Sequence, residues 1–170
     1  MGASGHLTRS GTATLLAVMG CAVLALGLLV YLADREASHA LLIPNVAALA
    51  GSHWFGALGD SLPSFAHPFA FSLFTAAALP LRRAWCYGAC AAWAAVNVAF
   101  EVGQHAQVSV RLAEALLASL GQTPLTQALA NYFVRGTFDV DDIVAAMVGA
   151  LAAAAVLHLM QDISEHQHAS

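Results

Sequence analysis

The side chains in this chain that can do chemistry are few, and their spacing is helical. His67 stands in Ser64-Phe65-Ala66-His67-Pro68, with Phe71 and Phe74 four and seven residues on. Asn97, Glu101 and Gln104 follow one another at intervals of four and three, which draws a polar stripe along one face of a helix. His105 comes four residues after Glu101, a helical spacing compatible with shared metal ligation. Asp139, Asp141 and Asp142 come just after Arg135-Gly136-Thr137. Imidazole and carboxyl groups are the usual agents of proton transfer and common ligands of divalent metals. Each also has a plainer reading. A histidine near a helix end can be an interfacial residue, and Asn97 can be glue between helices. Asp139 or Asp141 can cap a helix and complement its dipole.

What makes these groups notable is the rest of the chain. Of 170 residues, 59% are hydrophobic and only 9% charged, with a mean hydropathy of +0.71. Soluble chains carry about 25% charged residues. The surface is therefore expected to face lipid, where a charged side chain costs about 2.5–3.5 kcal/mol at mid-bilayer and needs a reason to be there. Net charge is −4, lysine is absent, and the arginines are single or form one pair. No basic tract supports nucleic-acid binding. Cys21, Cys86 and Cys90 form no metal-ligand pattern. Cys86 and Cys90 share a helix face and read as small apolar packing.

Four stretches, 12–32, 64–81, 85–104 and 141–160, are long and apolar enough to span a hydrocarbon core of about 30 Å. The first exceeds the apolar core of a cleaved signal and reads as a retained helix. The second and third are joined only by Arg82-Arg83-Ala84, so they form an antiparallel hairpin with paired arginines at the turn. Arginine in a short loop marks the cytoplasmic side, which puts both termini in the cytoplasm and loops 33–63 and 105–140 outside. In the outer loops, 44–49 can start a short helix, and Trp54 and Phe55 are candidates for an aromatic belt. Leu112, Leu116 and Leu120, then Leu125, Leu129, Tyr132 and Phe133 after Pro124, recur at the spacing of short interfacial helices. The expected fold is all-α: one polytopic domain over 1–160, a four-transmembrane-helix bundle with short interfacial helices in the two outer loops. A polar cytoplasmic tail over 161–170, with His166 and His168, is expected to be unstructured.

Counting crossings brings the polar groups together. Helix two enters from outside with His67 at its outer end, helix three leaves with Glu101 and Gln104 at its outer end, and helix four starts there with Asp139 and Asp142. The opposite ends offer only arginines and the tail. Asp142 shares its face with Ala145, Gly149 and Ala153, small residues that permit close helix contact.

The strings SFAHPFAFSLF, FEVGQ and RGTFDVDDIVAAMVGALAA, in this order, resemble the VanZ-like family of bacterial integral membrane proteins. The matching positions are His67 and Phe71, Glu101 and Gln104, and Arg135, Asp139, Asp142, Gly149 and Ala150. The stretch from Asp60 to Ala155 carries the resemblance. Ala146 stands where members usually have asparagine, and Ala153 replaces a later glycine. The Asp-Lys pair often found before the histidine is absent. The resemblance implies a bacterial inner-membrane protein in a cell-envelope context linked to antibiotic resistance. Its expected outward-facing polar pocket would bind or process a lipid-linked or envelope substrate. In an enzymatic form, His67, Glu101 and Asp142 would be acid–base groups or ligands of a divalent metal. Gln104, Arg135 and Asp139 would hold substrate, Arg135 through a phosphate. The other readings are a non-catalytic interaction or stability module whose polar cluster is a structural hydrogen-bond network, and a proton-coupled transporter. Membrane lipid is the expected partner, nucleic acid is not, and a homo-oligomer is compatible with the pattern.

Overall fold

Alanine, leucine and valine dominate the long apolar runs, and residues of this kind build helices whose backbone is satisfied internally. The computed structural model describes residues 9–34, 56–80 and 82–169, and these are all-α. Among them are six helices: α1 (Arg9–Asp34), α2 (Ala57–Ala78), α3 (Arg83–Gln104), α4 (Ser109–Leu120), α5 (Pro124–Arg135) and α6 (Val140–Ala169). Ser10–Val30 in α1 and Val140–Ile163 in α6 are long and apolar enough to cross a membrane, with mean hydropathies of 2.5 and 2.3. Their outer faces stay uncovered, as at Leu29 and Leu151. Apolar surface of this extent on two long helices points to a membrane location.

Helix α2 is central and packs against α1, α3 and α6. Gly20 meets Phe74 and Gly27 meets Ala66, so α1 and α2 run antiparallel. Trp93 bonds Thr75, and the four residues between α2 and α3 reverse the chain again. Helix α6 runs antiparallel to α3, with Gln161 beside Cys86 at one end and Asp139 beside Glu101 at the other. The shared core is Leu16 of α1, Phe69, Leu73 and Ala76 of α2, Cys86 and Cys90 of α3, and Ala153 and Leu157 of α6. Small residues let α6 approach closely. A Cβ on Gly149 would strike the carbonyl oxygen of Phe65 in α2.

Helices α4 and α5 form a hairpin over the C-terminal end of α3. Gly121 ends α4 at φ 76, a conformation that only glycine adopts without strain. Thr123 then caps α5 in a reciprocal box with Thr126, and Pro124 takes the first helical turn, where its missing amide costs nothing. The leucine spacing read from the sequence thus corresponds to two real helices.

Three expectations change. Helix α2 begins at Ala57 and not near Ser64, so Pro63 and Pro68 lie inside it and His67 is three turns in. The expected unstructured tail is helical through Ala169, because α6 continues past the core and Gln161 is buried against Cys86. The arginine end also carries more than isolated arginines. Arg83 pairs with Asp162 at 3.0 Å, Asp162 lies 3.4 Å from His158, and His158 Nδ1 is hydrogen-bonded to Tyr87 Oη at 3.1 Å. The expected segment 44–49 and the aromatic pair Trp54 and Phe55 lie outside the described residues.

Candidate functional site

The seam between α2 and α3 sets the depth of the first two groups. Thr75, Phe71 and His67 climb one face of α2 at intervals of four, and Trp93, Asn97 and Glu101 climb the facing side of α3. Trp93 joins the two ladders: its Nε1 donates to Thr75 Oγ1 at 2.9 Å and its ring stacks on Phe71 at 4.8 Å. Phe71 in turn stacks on the His67 ring at 6.0 Å. Asn97 donates Nδ2 to the Trp93 carbonyl at 2.9 Å, so the asparagine is held within its own helix. In two antiparallel helices joined at Thr75 and Trp93, His67 and Glu101 are each eight residues from the junction and occupy a similar level. His67 is nevertheless exposed, and Glu101 half-buried.

On the other side, the chain between α5 and α6 wraps around the last two turns of α3. The Asp139 amide donates to Glu101 Oε2 at 3.4 Å, a long hydrogen bond. The carboxylates of Asp142 and Asp139 lie within electrostatic reach of Glu101. Asp139 also accepts the Asp141 amide at 2.9 Å, which makes it the N-cap of α6. Asp142 is half-buried, one turn before Ala146 on the face that continues through Ala150, Ala153 and Leu157. Gln104, 9% exposed, donates Nε2 to Tyr132 Oη at 2.8 Å. Its carbonyl end packs over Gly136 so tightly that a Cβ there would collide with it. Arg135 is exposed in the last turn of α5.

The structure therefore brings Glu101, Asp139 and Asp142 together and ties Gln104 to the same segment. His67 is held by its stack on Phe71, and among the described residues no group of three His, Cys, Asp or Glu side chains is placed to hold a metal. Glu101 and His105 do not lie on one continuous helix. Helix α3 ends at Gln104, and His105 turns out as its extended C-cap. The His105 ring then meets Phe138 edge-on at 5.2 Å, and its Nδ1 accepts the Gln107 amide at 3.3 Å.

A cavity of about 550 Å³ opens beside this cluster, lined by Gln104, His105, Ser109, Gly136, Thr137 and Phe138 among others. Three carboxylates nearby make this end acidic, while Gln104, Ser109 and Thr137 supply neutral donors and acceptors. Sequence reading did not single out Tyr132 or Ser109 as site residues. The only signal for either was amphipathic spacing, which says which face is inward but not which hydroxyl meets which amide.

Comparison with known proteins returns no match: no family model, no curated protein and no solved structure is similar to the chain, and the VanZ-like resemblance rests on the quoted residues alone.

Proposed function

We propose that the chain is a VanZ-like integral membrane protein that crosses the bacterial inner membrane four times, through α1, α2, α3 and α6. On this reading α4 and α5 lie in the outer interface, and both termini face the cytoplasm with the Arg82-Arg83 turn. The acidic end of the bundle is a binding pocket for a lipid-linked or envelope substrate. One observation carries the reading: the α5–α6 segment folds over the end of α3 so that Glu101, Asp139 and Asp142 gather beside a cavity lined by Gln104. Carboxylates placed near an apolar boundary require a partner. A head group rich in hydroxyl or amine donors supplements the long Asp139 amide bond to Glu101, and the exposed Arg135 suits a phosphate on the same molecule. In the catalytic form of this reading, Glu101 and Asp142 handle protons, with His67 at the same level of the bundle.

A second reading has specific support. Asp139 capping α6 and Gln104 bonded to Tyr132 are also what a purely structural network would show. The two separate under isosteric substitution. Full-length Glu101→Gln and Asp142→Asn are compared with the native chain for melting temperature in detergent and for co-purifying lipid by native mass spectrometry. Native melting with loss of a bound lipid-linked species supports the pocket. A fall of several degrees with the lipid complement unchanged supports the network and removes the functional proposal.

A further inference from the structure

The opposite end of the bundle holds a second polar cluster, and this one is buried. Cys86 and Cys90 of α3 are 1% and 5% exposed, both free thiols, one turn apart on one face. Ser72 of α2, fully buried, is within hydrogen-bonding reach of Cys90 and donates its own hydroxyl to the Pro68 carbonyl at 2.6 Å. Gln161 reaches in from α6, 5% exposed, and donates Nε2 to Cys86 Sγ at 3.1 Å. Its Oε1 is the buried side-chain oxygen left without a partner among the described residues.

Two features go beyond passive packing. A neutral thiol is a weak donor, and an amide beside it would be best satisfied by accepting S–H at its oxygen. Here the amide N–H faces the sulfur, the polarity a thiolate needs, and the amide oxygen is left without a partner among the described residues. The spacing is the second feature. Cβ atoms four apart on a helix are about 5–6 Å apart, beyond the roughly 3.5–4.5 Å of a disulfide. The pair is too wide to close on itself. It suits two sulfurs on either side of one ion, with metal–sulfur bonds of about 2.3 Å each.

We propose that Cys86 and Cys90 clasp a soft monovalent d10 cation of the Cu(I) class, with Gln161 supporting the Cys86 sulfur from α6. On binding, each thiol gives its proton to solvent and two metal–sulfur bonds form. The ion keeps its oxidation state, and the complex carries one negative charge. Cys86 lies in the first turn of α3, where the helix dipole favours negative charge. Thiolates select soft ions, whereas zinc takes four ligands. No third Cys, His, Asp or Glu joins the pair among the described residues.

The test uses the full-length chain in detergent carrying Cys21→Ser, which removes the exposed thiol. It is titrated with Ag(I), the redox-inert stand-in for Cu(I), and separately with Zn(II). The expected result is one Ag(I) per chain with two protons released per ion. Cys86→Ala or Cys90→Ala abolishes this binding, and Gln161→Leu weakens it about tenfold. Two Ag(I) per chain, each released with one proton, means independent thiols and overturns the proposal. Equal affinity for Zn(II) overturns the choice of a soft ion. Stoichiometry and proton release are read on the intact pair, so the outcome stands even where a cysteine variant fails to fold.

Discussion

Gly149 of α6 lies directly against the carbonyl oxygen of Phe65 in α2. This contact sets how closely the two helices pass, and through it how near the Asp142 end of α6 comes to the N-terminal half of α2. A backbone oxygen cannot rotate aside as a side chain can. Gly149→Ala should therefore destabilise the protein by about 1–3 kcal/mol through overpacking. Gly88→Ala is the control, since nothing lies within 4 Å of a Cβ there. It should stabilise α3 by about 0.5–1 kcal/mol. Thermal unfolding in detergent reads both, and the same sign for the two variants would contradict the close approach.

The Gln104–Tyr132 bond pins the α4–α5 hairpin to the end of α3. Tyr132→Phe removes the hydroxyl and keeps the ring contacts with Phe100 and Phe133. The expected loss is about 0.5–1.5 kcal/mol. In a double-mutant cycle with Gln104→Met, the second substitution should cost less once the first is made. Fully additive losses would mean that the amide and hydroxyl do not depend on each other.

Asp139 has two duties, capping α6 and donating its amide to Glu101. Asp139→Ala should cost about 1 kcal/mol, whereas Asp139→Ser, also a good cap, should cost little. Hydrogen exchange at the Asp141 amide reads the effect locally. Equal protection in native and alanine proteins would show that the cap does not hold the turn.

At the arginine end, the Arg83–Asp162 pair is half exposed, with side chains 50% and 38% accessible. Exposed pairs are weak and screened by salt. Arg83→Ala should change stability by less than about 1 kcal/mol, and raising salt should erase the difference. A larger, salt-independent loss would show that Arg83 acts through burial of its stem or through other partners.

Much of the architecture was legible from residue type and spacing. The apolar runs marked α1 and the start of α6 to within a few residues, and the short Arg82-Arg83 connection identified the α2–α3 reversal. The leucine repeats after Val108 and Pro124 indicated α4 and α5. Boundaries failed where local signals were ambiguous. The apolar run suggested that α2 starts near Ser64, yet the helix begins at Ala57 and packing against α1 and α6 carries it through Pro63 and Pro68. A polar tail suggested disorder, yet Gln161 and Asp162 find partners on α3 and keep α6 helical.

The candidate site divides along the same line. Periodicity alone placed Asn97, Glu101 and Gln104 on one face and Asp142 on the buried face of α6, because side-chain direction in a helix follows from the turn. What each group meets was a matter of the fold. The four residues between α5 and α6 bend over α3 and give Glu101 the Asp139 amide. Helix α3 ends at Gln104 and leaves His105 as an extended C-cap against Phe138, and His67 is exposed and stacked on Phe71. Helical phase is local and can be read along one chain. The pairing of side chains on different helices depends on how closely those helices approach, and here that distance is set by contacts such as Gly149 on Phe65.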